Sequence, residues 1–235
     1  MSTPVLQIQD LRFRWSSQAE ETLNIPSLHI QQGERIFIQG RSGSGKTTLL
    51  NVITGINCPQ QGRVQVLATE LTQLSAKQRD QFRVDHLGII FQQFNLLPYL
   101  SLLENVQLPC WFSPKRKAKA GQITQTARRL LAELQIPPQY VNRPVHALSV
   151  GQQQRVAVAR ALIGQPEIII ADEPTSALDT DNRQRFLELL FQEAQQQGTT
   201  LIFVSHDPHI AQHFPRVIAL ADLNRAPTQD ETTNL

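Results

Sequence analysis

Gly40-Arg41-Ser42-Gly43-Ser44-Gly45-Lys46-Thr47 is the stretch around which the chain is organised. Its spacing is G-x-x-x-x-G-K-[ST], that of a phosphate-binding loop. Arg35-Ile36-Phe37-Ile38-Gln39 before it reads as a buried strand, and Thr48-Leu49-Leu50-Asn51-Val52-Ile53 after it as a helix. Strand, loop and helix in that order are the context the motif needs. Glycines let the backbone turn tightly and approach an anion without a side chain in the way. The loop N–H groups and the positive end of the helix then face phosphate oxygens. Lys46 adds a full charge towards the β- and γ-phosphates, and the Thr47 hydroxyl is placed to ligate Mg²⁺. The stretch predicts a site for a nucleoside triphosphate. What the chain does with one is decided elsewhere.

The chain has 235 residues, enough for one large domain or a core with a subdomain. A formal charge of +2 is too small to argue for nucleic acid by itself. No run approaches the ~18 apolar residues that span a bilayer. Met1-Ser2-Thr3-Pro4-Val5 has neither a basic nor an apolar leader region, which argues against secretion. Cys58 and Cys110 are far apart with no C-x-x-C partner, so a reducing compartment is the simple reading.

Upstream of the loop, Val5 to Arg14 alternates as a half-buried strand. Leu28-His29-Ile30 resumes strand character, with Gln32-Gly33 as a turn. Arg63 to Leu67 is a short strand, and Leu87 to Phe91 a buried one that ends in Gln92. From Phe94 to about Gln165 the pattern turns helical. Ala127, Leu130, Leu131 and Leu134 form a stripe, and Ile136-Pro137-Pro138 reads as the stop. Glu167 to Glu173 contains an isoleucine run without alternation, as a central parallel strand requires. A helix over about 182–196 and strands at 199–204 and 217–220 complete the pattern. The polar stretch from Asp222, with Pro227, reads as a poorly ordered tail.

Asp172 and Glu173 close the isoleucine strand, where acids of α/β sheets lie beside bound phosphates. The first can hold the Mg²⁺ shell and the second can polarise water. Gln92 and His206 each leave a strand at the same functional edge. Taken singly, each reads better as a satisfied surface residue, and that reading is kept for His29, His86, His146, His209 and His213; what lifts Gln92 and His206 is their shared edge. Gln152 to Gln154 and Gln195 to Gln197 read as ordinary polar helix faces.

Leu148-Ser149-Val150-Gly151-Gln152-Gln153-Gln154-Arg155 resembles the L-S-G-G-Q signature of the ABC-transporter ATPase family, with Val150 in place of the first glycine. The other family marks follow in order over nearly the whole chain. They are the phosphate loop from Gly40 to Thr47 with Thr48 after it, Gln92, the signature, Ile168 to Glu173, the D-loop Ser176-Ala177-Leu178-Asp179, and His206. The resemblance implies an α/β fold: a P-loop NTPase (RecA-like) core with an N-terminal antiparallel β subdomain and an inserted α-helical subdomain. The expected bounds are 1–92 with 166–222 for the β subdomain and core, 93–165 for the helical insertion, and 223–235 for a tail.

It further implies an ATPase using ATP and Mg²⁺, with Glu173, His206 and Gln92 as catalytic residues and Thr47, Gln92 and Asp172 around the metal. Trp15 matches the aromatic that stacks on adenine, worth ~1–3 kcal/mol by analogy with other bases, with a strand-edge core residue as the lesser alternative. Ser149, Val150, Gly151 and Gln152 would contact the ATP held by a second copy. Two copies would sandwich two ATP molecules on the cytoplasmic face of a bacterial inner membrane. A β-branched Val150 tolerates positive φ badly, so a negative φ is expected there, with Gly151 making the close approach.

Phe91 to Leu100 and Leu103-Glu104-Asn105-Val106 look like the lipoprotein-releasing, macrolide-exporting and cell-division subgroup. The Phe94-Leu96-Leu97-Tyr99 cluster then falls where a permease docks, or else belongs to the helical core. Lys115-Arg116-Lys117-Ala118-Lys119 reads as a solvated helix face, with contact to anionic headgroups as the alternative. No nucleic-acid partner is expected. The rivals are an import-type ATPase for a small solute, a soluble ABC ATPase of repair or translation, and an ATP binder without turnover.

Overall fold

The computed structural model describes residues 4–16, 20–176, 178 and 180–227, with backbone only at 180–182. In chain order the elements are β1 (Pro4–Phe13), β2 (Leu23–Gln31), β3 (Arg35–Gln39), α1 (Lys46–Ile53), β4 (Gln61–Val66), β5 (Thr69–Glu70), α2 (Ala76–His86) and β6 (Leu87–Ile90). Then come α3 (Leu102–Phe112), α4 (Pro114–Ala120), α5 (Ile123–Glu133), α6 (Val150–Leu162), β7 (Ile168–Asp172), α7 (Thr180–Gln196), β8 (Thr200–Ser205), α8 (Pro208–Ala211), β9 (Arg216–Ala219) and α9 (Leu220–Leu223). The chain forms two compact units, residues 1–83 with 202–235, and residues 84–201.

In the first unit an antiparallel sheet runs β2-β1-β4-β5. Alternation along β1 puts Leu6, Ile8, Leu11 and Phe13 into the core beside Leu23, Ile25, Leu28 and Ile30 of β2. The β1–β4 register shifts between Gln9 and Arg12, where Asp10 takes φ 48°. The parallel strands of this unit place β8 and β9 on either side of β3. Phe37, Phe203 and Phe214 meet there with ring centroids 5.2–5.8 Å apart. Such pairs add ~0.5–1.5 kcal/mol each beyond the area they bury.

In the second unit β6 and β7 pair in parallel, Leu87 opposite Ile168 and Ile90 opposite Ala171. Ile168, Ile169, Ile170 and Ala171 are buried without alternation, as the run predicts. Helix α6 packs very close to β6. A Cβ on Gly88 would stand 2.4 Å from the Ala161 carbonyl oxygen, so no larger residue fits there. Helix α3 packs on α5 and α6. It starts at a capping box in which Glu104 accepts from the Ser101 amide at 2.8 Å and Ser101 Oγ accepts from the Glu104 amide at 3.2 Å. Every helical or strand element of the described residues between 93 and 165 is helical.

Several expectations need correction. The stretch from Asp222 is not loose at its start. Asn224 Oδ1 accepts from the Asn24 amide at 2.7 Å, Asn224 Nδ2 donates to the Thr22 carbonyl at 3.0 Å, and the Arg225 amide donates to the Asn24 carbonyl at 2.8 Å. A side chain with both donor and acceptor thus ties polar sequence to β2. Helix α5 ends at Glu133, before the prolines, because Leu134 caps it and Gln135 turns left-handed at φ 58°. Strand β6 ends at Ile90, so Gln92 stands in the following turn rather than at the strand end.

The basic run is a solvated face only in part: Lys117, Ala118 and Lys119 are exposed, but Arg116 is not. Arg116 is 2% exposed, and its guanidinium donates to the carbonyls of Leu87 and Ala161. Burial pushes its pKa down to about 10. Lys115 and Lys119 each place Nζ 3.0 Å from Glu167 Oε1, which leaves Lys117 as the lysine of the run whose side chain is exposed without an ion pair to Glu167.

Candidate functional site

The phosphate-loop residues lie together at the end of β3. Gly43 and Gly45 have φ 79° and 94°, the left-handed region that glycine enters without strain. The Leu49 amide donates to the Gly45 carbonyl at 2.8 Å, so the helix starts directly from the loop. Arg41, Ser42, Gly43 and Thr47 are exposed; Lys46 and Thr48 are buried. Lys46 Nζ donates at 2.8 Å to the carbonyls of both Gly40 and Arg41, folding its charge over the turn. The Gly40 amide donates to the Ser205 carbonyl at 3.4 Å, which brings the end of β8 beside the loop. His206 is the next residue and is exposed. Trp15, 36% exposed, stands edge-on to Phe13 at 5.1 Å between centroids.

The remaining predicted residues belong to the second unit. Gln92 is exposed. Asp172 closes β7, and Glu173 follows it at φ 45°, 9% exposed. A buried carboxylate in left-handed backbone is held by its surroundings rather than by preference. The Ser176 amide donates to the Glu173 carbonyl at 3.2 Å, which turns the chain at once after the strand. Asp179 and Ala177 of the expected D-loop lie outside the described residues.

Ser149 is the N-cap of α6, and Gln152 completes the box. Ser149 Oγ accepts from the Gln152 amide at 3.3 Å, and Gln152 Oε1 accepts from the Ser149 amide at 3.0 Å. Val150 is the first helical residue, outside the positive-φ region and 49% exposed. A Cβ on Gly151 would meet nothing within 4 Å, so the face above it is open.

Two readings change here. Gln154 is not a polar face: it is 1% exposed and its Nε2 donates to the Pro174 carbonyl, linking α6 to the residue after Glu173. Phe94 is buried, so of the expected docking cluster only Leu96, Leu97 and the 77% exposed Tyr99 reach the surface. Ser205, Asn105 and Arg160 were not legible as site-building residues. Ser205 acts through its backbone, Asn105 through carbonyls of the preceding loop, and Arg160 through loop carbonyls 65 and 66 residues away.

The family model described as ABC transporter matches residues 23–176. The uncharacterised ABC transporter ATP-binding protein MJ0796 of Methanocaldococcus jannaschii is 39% identical over 196 residues, covering 83% of each chain. The macrolide export ATP-binding/permease protein MacB of Campylobacter jejuni is 43% identical over 196 residues, 83% of this chain but 30% of that protein. The dimeric, post-hydrolysis structure of MJ0796 bound to ADP and phosphate superposes with a TM-score of 0.81 at 32% identity, over 95% of this chain and 98% of that one. The fold is that of an ATP-binding cassette, and the chain belongs to the ABC transporter family as an ATP-binding subunit.

Proposed function

We propose that the chain hydrolyses ATP and that this drives a permease of the export or force-transmitting type. The observation that carries the reading is the loop at Gly40–Thr47. It has two left-handed glycines, a lysine folded along it and His206 next to the residue that accepts from Gly40. Lys46 and the loop amides bind the phosphates. Thr47, Gln92 and Asp172 offer hydroxyl, amide and carboxylate oxygens, the hard donors that suit Mg²⁺. Among the described residues no three His, Cys, Asp or Glu form a metal cage. Bound Mg²⁺ supplies charge neutralisation on the phosphate oxygens.

Glu173 accepts a hydrogen bond from the water that attacks the γ-phosphorus, and the bond to the β-phosphate oxygen breaks to leave ADP and phosphate. His206 and Gln92 orient that water and the phosphate, while Trp15 stacks on adenine. The first turn of α6, at Ser149–Gln152, covers the ATP of a second copy, with Ser176 and Asp179 beside it. ATP then favours the paired state and hydrolysis releases it. The likeness to MacB supports an export role, and Leu96, Leu97 and Tyr99 offer the permease a surface on the cytoplasmic side. Among the described residues no helix is long and apolar enough to cross a membrane. The division into a core and a helical insertion over 93–165 is part of this reading.

The test is Glu173→Gln, which keeps shape and removes the base. With ATP and Mg²⁺ it elutes from a sizing column as a dimer that ADP does not support. A variant that binds ATP but stays monomeric would remove the sandwich from the reading.

A further inference from the structure

Arg160 lies on α6, the helix that begins at Ser149–Gln152. Its Nη1 donates to the Asn95 carbonyl at 2.6 Å and its Nη2 to the Phe94 carbonyl. Phe94 and Asn95 are both left-handed, at φ 56° and 48°. Successive residues with helical-sense dihedrals direct their carbonyls the same way, which suits a planar two-pronged donor. Burial pushes the Arg160 pKa down to about 10, so the group stays cationic near neutrality, and its charge meets carbonyl dipoles. The same segment is gripped again further on. Asn105 of α3 is fully buried; it accepts from the Leu97 amide at 2.8 Å and donates to the carbonyls of Leu97, Ser101 and Leu100 at 3.0, 3.0 and 3.3 Å. Residues 94–101 therefore lack regular structure yet are held by polar side chains from two helices.

The two grips differ in what they connect. Asn105 lies four residues beyond Ser101 in the chain and holds the segment to the helix that follows it. Arg160 joins it to α6, whose other end is the open turn at Val150 and Gly151. A helix of 13 residues is a rod of about 20 Å. The Arg160 guanidinium is thus a direct polar link from α6 to Phe94 and Asn95, four to five residues before the exposed Tyr99.

We propose that Arg160 is a positioning residue that couples the first turn of α6 to the segment after Gln92, so that capture of ATP at Ser149–Gln152 by a second copy changes the surface at Leu96, Leu97 and Tyr99. The proposal rests on reading Ser149–Gln152 as a site in trans. An ordinary loop staple would hold the segment without passing on any change, and the experiment separates the two.

The experiment is hydrogen exchange by mass spectrometry on the whole chain in the Glu173→Gln form, with and without ATP and Mg²⁺. Arg160→Met keeps the stem and loses the fork; Arg160→Lys keeps the charge and serves if the first variant does not fold. In the parent, ATP changes exchange at 149–152 and at 94–97 together. In the variants, amides at 94–97 exchange about tenfold faster without nucleotide. The ATP-dependent change at 94–97 is lost, while that at 149–152 and the dimer remain. An ATP-dependent change at 94–97 that survives in the variants overturns the coupling, as does one that never occurs in a parent that dimerises. A parent that stays monomeric with ATP overturns the function on which the proposal rests.

Discussion

Ser149 and Gln152 each satisfy the other's backbone: the serine hydroxyl accepts from the Gln152 amide at 3.3 Å and the glutamine carbonyl accepts from the Ser149 amide at 3.0 Å. The box explains how a turn can be both rigid and open, since both side chains lie along the first turn of α6. Ser149→Ala removes the cap and costs about 1 kcal/mol of stability. Aspartate caps as well as serine, but adds a carboxylate where a phosphate is proposed to sit. In the Glu173→Gln background, Ser149→Asp is expected to melt like the parent in a thermal scan and to lose the ATP-dependent dimer on a sizing column. An Asp variant that dimerises normally would show that the turn does not face a phosphate.

Val150 opens the helix outside the positive-φ region, so a glycine there has no backbone freedom to restore. Its side chain is 49% exposed and covers no core. Val150→Gly should therefore leave steady-state ATP turnover within about threefold, a change of under 1 kcal/mol in barrier. A gain of two orders of magnitude would mean that the valine blocks the approach of the second copy.

Asn224 ties the chain after α9 to the residues at the start of β2. Its side chain accepts from Asn24 and donates to Thr22, and the following Arg225 amide adds a third bond to β2. Asn224→Ala leaves a partly buried donor and acceptor on β2 without those partners, at a cost of about 1–3 kcal/mol. Urea midpoints of parent and variant measure this.

What the chain disclosed before folding was whatever its chemistry carries locally. The glycine loop, the isoleucine strand and the signature are contiguous, so their residue types alone specify strand, turn or cap. Helix α2 was invisible because Phe82 is its only buried residue, which leaves no apolar stripe to read. Glu173's buried, left-handed setting and Phe94's burial depend on partners remote in sequence. The same holds for Gln154, a third consecutive glutamine with nothing local to distinguish it from its neighbours, and for Arg160, whose acceptors lie 65 and 66 residues away. The pairing of Lys115 and Lys119 is equally hidden in the sequence, because the carboxylate they meet lies 48 or more residues further on.

That carboxylate supplies the last prediction. Glu167 stands just before β7, with Lys115 and Lys119 Nζ at 3.0 Å and His86 Nδ1 at 3.2 Å. Burial pushes its pKa up, but hydrogen bonds from His86, Lys119 and Lys115 together outweigh that and hold the carboxyl well below the usual range. A group whose folded pKa is depressed stabilises the fold above its unfolded pKa, near 4.3, and loses that contribution as pH falls through the folded value. Glu167→Gln keeps the shape and removes the charge. At neutral pH it should cost about 1 kcal/mol, less than a fully buried charged hydrogen bond because the side chain is 29% exposed. The gap in urea midpoint between parent and variant should be constant from about pH 7 to about pH 5, and narrow below about pH 4. A gap that persists undiminished into acid would assign the contribution of Glu167 to packing rather than to its charge.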